Sequence, residues 1–69
     1  MLENDRVFTV EELATYLQMK PGTVYKYAGE GALPGFKVGS QWRFKKQSID
    51  SWIERQEQQF NRNHKVLTN

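Results

Sequence analysis

Read from Phe36, the chain runs F-K-V-G-S-Q-W-R-F-K-K: two short alternating stretches about Gly-Ser-Gln, with four cations and no acid. Alternation with a period of two marks half-buried strands, so the segment is expected to be an antiparallel hairpin turning through Gly39-Ser40-Gln41. In that reading Phe36, Val38, Trp42 and Phe44 point into a core, while Lys37 and Arg43 point out. Trp52 joins the same core. These large aromatics are read as packing groups, since a domain this small needs them to offset chain entropy.

Upstream the period is helical. Thr9 followed three residues later by Glu12 is the capping-box pattern of a helix start, and Val10, Leu13, Ala14 and Leu17, with Tyr16 alongside, form one apolar stripe. Gln18-Met19-Lys20 is the expected turn. Pro21 then suits the first position of a second helix, in which Val24, Tyr27 and Ala28 share a face and Gly22, Thr23 and Lys26 lie on another. Gly29, Gly31 and Leu33-Pro34-Gly35 stop that helix. Beyond the hairpin, Ile49, Trp52, Ile53, Gln56 and Phe60 mark a third helix from Lys46 to about Asn61. The predicted fold is therefore mainly α with a small β-hairpin, that is, a winged helix-turn-helix with a two-stranded antiparallel wing and a C-terminal helix. Residues 6–61 form the domain and 62–69 a flexible polar tail.

Size and chemistry exclude much. With 69 residues and no cysteine, the chain has one small core, no disulfide framework and no thiolate metal site. His64 stands without neighbouring ligand residues, and the carboxylates Glu11, Glu12, Asp50, Glu54 and Glu57 lie on separate helix faces or near helix starts, where they complement the dipole. No catalytic constellation is visible, so an enzyme, a cofactor, a metal and a small-molecule substrate are not expected. No apolar stretch suits a membrane span, and Met1-Leu2-Glu3-Asn4-Asp5 lacks the layout of a signal peptide. The expectation is a cytoplasmic, nucleoid-associated protein with no membrane partner.

The net charge of +2 conceals an uneven distribution. Between Lys20 and Lys46, the cations Lys20, Lys26, Lys37, Arg43, Lys45 and Lys46 face Glu30 alone, while the rest of the chain is acidic. A basic middle of this kind suits a polyanion. In double-stranded DNA, the second helix would enter a major groove with Thr23, Tyr25 and Lys26 near base edges and phosphates, and Lys20 at its start. The hairpin would be a wing, with Lys37 and Arg43, then Lys45 and Lys46, on phosphates. Its tip, Gly39 and Ser40 with Gln41, would meet the minor groove. Tyr16 and Tyr25 could reach phosphates through their hydroxyls.

Several motifs together carry a family resemblance: T-V-E-E-L-A-x-Y-L at Thr9 to Leu17, T-V-Y-K at Thr23 to Lys26, G-x-L-P at Gly31 to Pro34, K-V-G-x-x-W-R-F-K-K at Lys37 to Lys46, and I-D-x-W-I at Ile49 to Ile53. Over about residues 8 to 55 the chain resembles the excisionase-type branch of the MerR-like winged helix-turn-helix family. The resemblance implies that Tyr25 and Lys26, and Lys37, Arg43 and the Gly39-Ser40 turn, face DNA. It also implies a role in recombination directionality or transcriptional regulation. Cooperative neighbouring copies, a recombinase or another regulator would then supply the specificity that one recognition helix lacks. Gly29, Glu30 and Gln41 stand where such proteins often carry cations. They motivate the alternative of a protein-interaction module that keeps the fold without strong DNA binding.

Overall fold

In the computed structural model, which describes residues 6–64, the first helix begins at the expected capping box. The Glu12 amide donates to the Thr9 hydroxyl at 3.1 Å, and the Thr9 amide donates to the Glu12 carboxylate at 3.0 Å. Two orphan donors are satisfied at once. Helix α1 (Val10–Leu17) ends at Gln18, which takes a left-handed conformation (φ 58°, ψ 48°) and turns its amide back to the carbonyls of Ala14 and Thr15. Helix α2 (Pro21–Gly29) starts on Pro21, with Lys20 extended just before it. Val24 and Ala28 are buried, as their spacing predicts, and Tyr27 is half-buried.

Strands β1 (Val7–Phe8), β2 (Phe36–Val38) and β3 (Gln41–Lys45) form one antiparallel sheet in the order β1-β3-β2. The hairpin was expected to stand alone; instead β1 pairs with the inner strand, Val7 opposite Lys45 and Phe8 opposite Phe44. A further bond from the Lys46 amide to the Arg6 carbonyl, at 2.9 Å, prolongs this ladder. Phe8 thereby enters the core beside Phe44.

The wing register corrects the sequence reading. Only Gly39 and Ser40 make the turn, and Gln41 is the first residue of β3, opposite Val38. Gly39 alone of the pair has positive φ, 66°, as a two-residue hairpin loop with glycine at its first position requires. A turn one residue shorter than expected inverts the faces of β2 relative to β3. Lys37 thus lies opposite Trp42 on the inner face, its ammonium 5.4 Å from the indole centroid. Phe36 and Val38 belong to the outer face with Arg43 and Gln41, at 42% and 60% exposure, and are not core residues.

The core consists of Phe8, Val10, Leu13, Ala14, Val24, Ala28, Leu33, Phe44 and Ile49, with Leu17, Met19, Tyr27, Trp42 and Trp52 packed around it. Trp42 stacks along Phe44, with ring centroids 6.2 Å apart. The half-buried Trp52 donates its indole N–H to the Ala32 carbonyl at 2.8 Å, fastening the loop after α2 to the last helix. That helix, α3 (Lys46–His64), runs past the expected end near Asn61, and residues 65–69 of the expected tail lie outside the described residues. Its apolar stripe closes the core only at its start. Ile49 is buried and Trp52 half-buried, whereas Ile53 and Phe60 are exposed. Among the described residues, no helix is long and apolar enough to cross a membrane.

Candidate nucleic-acid interface

The face of α2 opposite Val24 and Ala28 carries the short and basic side chains expected there. Lys20, Gly22, Tyr25 and Lys26 are exposed, and Thr23 is half-buried. Tyr25 does not project alone. It lines an open groove of about 280 Å³ together with Ser40, Gln41, Trp42 and Arg43 of the wing and Thr9, Val10 and Glu11 at the start of α1. The fold therefore gathers the exposed edge of the second helix and the wing tip around one depression, although they are far apart in sequence.

Arg43 is held in place within this groove. Its Nη1 donates to the Trp42 carbonyl at 2.7 Å and its Nη2 to the Gln41 side-chain oxygen at 2.8 Å. A planar guanidinium keeps further N–H groups beyond two such bonds and remains charged. Gln41, expected at the tip, instead acts from within β3 as the clamp on Arg43. Lys45 is exposed on the outer face, and Lys37 is exposed at the inner edge against Trp42.

Lys46 behaves differently. Its Nζ donates to Asp50 Oδ2 at 2.8 Å, one helical turn along α3, and lies 5.8 Å from the Tyr16 ring. The Tyr16 hydroxyl donates to the other Asp50 oxygen at 2.7 Å, and its ring packs 4.9 Å from that of Phe8. Lys46 and the Tyr16 hydroxyl both belong to a cluster joining α1 to α3. Hydrogen bonds from Lys46 and then Tyr16 hold the Asp50 carboxyl below its ordinary range. The same carboxylate, accepting from the phenol, raises the Tyr16 hydroxyl above its own.

Glu11 was not read from the sequence as part of any binding surface, yet it stands on the wall of the groove. Its spacing showed only a residue suited to a helix start. Its position opposite the wing is a product of the tertiary fold. Among the described residues there is no group of His, Cys, Asp and Glu side chains that could hold a metal ion.

The order helix, tight turn, helix, wing is matched by the family model described as helix-turn-helix domain, over residues 7–57. This chain belongs to the helix-turn-helix domain family. The matched span takes in β1 through more than half of α3 and so includes every wall of the groove. Comparison with curated proteins and with solved structures gives no match. Helix-turn-helix domains characteristically place their second helix in DNA.

Proposed function

We propose that this domain binds double-stranded DNA without catalysing a reaction on it, with α2 in the major groove and the wing on the adjoining backbone and minor groove. The observation that carries this reading is the shared groove: Tyr25 of α2 and Ser40, Gln41 and Arg43 of the wing line a single surface. Exposed Lys20, Lys26, Lys37 and Lys45 lie on the same two elements or at their ends. Thr23, Tyr25 and Lys26 meet base edges and phosphates. Gly39 and Ser40 let the tip approach closely, and Arg43 meets a phosphate in a geometry fixed by Gln41. Glu11 tunes the groove, because a carboxylate there repels phosphate but can accept from a cytosine amino group. The excisionase-like motifs favour a role in recombination directionality or transcriptional regulation, with neighbouring copies or another regulator adding specificity.

Lys20, Lys26, Lys37, Arg43 and Lys45 are the cations this reading assigns to phosphates. Log K should then fall with log salt at a slope of about −4 to −5. Lys26→Ala should weaken binding to a mixed-sequence duplex and reduce that slope by about 1, while its thermal melt by circular dichroism stays unchanged. A slope near zero, or unaltered affinity in Lys26→Ala and Arg43→Ala alike, would refute the assigned surface. The exposure of α3 from Ile53 to Arg62 favours a second reading, a protein-interaction module. No salt-sensitive shift with duplex, together with concentration-dependent association, would support that reading instead.

A further inference from the structure

The outer face of the wing carries apolar groups that the core does not use. Phe36 and Val38 alternate with Lys37 along β2, and both lie on the side that bears Arg43 and Gln41. Val38 is 60% exposed and sits immediately before the Gly39-Ser40 turn. Phe36 lies opposite Arg43, and beside it a shallow depression is shared with Lys45. Strands β1, β2 and β3 contain no acidic residue. This face is thus apolar along its outer strand, cationic beside it, and continuous at Gln41 and Arg43 with the groove reached by Tyr25.

Exposed apolar side chains set among cations and neutral polar groups, on strands that carry no acid, match a surface that is apolar in depth and anionic at its rim. The minor groove of DNA has that character: deoxyribose walls and base edges within, phosphates along both lips. Apolar side chains that enter it can part a base step, most readily at a pyrimidine-purine step. We propose that Val38, backed by Phe36, is an apolar wedge that enters the minor groove beside the wing tip and opens a base step. Arg43 and Lys45 hold the flanking phosphates. This inference rests on the DNA-binding reading above. It assigns to the wing a contribution that salt does not screen, because the wedge displaces water and not counterions.

Salt dependence and base stacking separate the wedge from the cations. The probe is a short duplex of alternating A and T, rich in flexible TA steps, with 2-aminopurine in place of some adenines. Val38→Ser should bind about tenfold more weakly at every salt concentration, with the wild-type slope, and should lose the fluorescence rise that marks unstacking. Phe36→Ser should show the same effects more weakly. Val38 is 60% exposed, so the Val38→Ser melt should match that of the wild type. Phe36, at 42%, has part of its ring covered and its variant should melt lower, so both are compared at a temperature where each is folded. If both variants keep wild-type affinity and fluorescence while Lys26→Ala still weakens binding, the wedge is wrong and the DNA reading stands. If the wild-type protein does not bind the duplex, both fall together. If Val38→Ser instead abolishes self-association in sedimentation and leaves DNA affinity intact, the face belongs to a second copy of the chain and the wedge is overturned.

Discussion

Gly35 owes its place to the ring of Phe44. A Cβ added there would lie 2.5 Å from Cε2 and 2.7 Å from Cδ2 of that ring, and 3.3 Å from the Arg43 carbonyl oxygen. Phe44 is fully buried, so its ring has little room to yield. Gly35→Ala should therefore destabilise the domain by about 1 to 3 kcal/mol, the usual cost of overpacking. Urea unfolding would measure it, and an unmoved midpoint would mean that the ring reseats freely. From sequence, Gly35 was legible only as part of a helix-breaking cluster. The close approach depends on a ring nine residues away and leaves no local pattern.

Among the elements, those set by local chemistry were legible and those set by pairing were not. The capping box at Thr9 and Glu12, Pro21 at the start of α2 and Gly29 at its end stand where the spacing predicts. Removing the cap with Thr9→Ala should cost about 1 kcal/mol, read as a lower melting temperature; an unchanged melt would show that packing alone fixes the start of α1. Strand β1 was missed because two residues have no period of their own, and Val7–Phe8 becomes a strand only through Phe44 and Lys45. The wing faces were misassigned by a single residue. Gly39-Ser40 already has the composition of a two-residue hairpin loop, but an alternating run fits either register unless the turn is counted correctly. The candidate site was accordingly legible in part. Tyr25 and Arg43 fall together as the residues suggested, whereas the clamp by Gln41, the wall formed by Glu11 and the diversion of Lys46 to Asp50 all depend on tertiary placement.

Across the whole molecule, the Tyr16, Asp50 and Lys46 cluster joins the first helix to the last and gives stability a pH dependence. Asp50 has a lowered carboxyl pKa in the fold, chiefly through Lys46 and then Tyr16. Its contribution is therefore present above the ordinary carboxylate range and lost as pH falls through that range and below it. Tyr16 is raised, mainly by its bond to Asp50, so its contribution holds below the ordinary phenol range and is lost as pH rises through and beyond it. Asp50→Asn should flatten part of the acid limb of the melting-temperature profile. At neutral pH it should cost under about 1 kcal/mol, since the pair is partly solvated. Identical acid limbs in the two proteins would show that the cluster is ornamental. One junction ties these parts together: β3 ends at Lys45 and α3 begins at Lys46 with no connecting residue, while the same strand is bonded on one side to β1 and on the other to β2. The molecule thus has no hinge between its wing and its longest helix. A torque applied to the exposed stretch of α3 between Ile53 and Arg62, by a neighbour or by tension, would then be delivered to the wing tip as though through a crank.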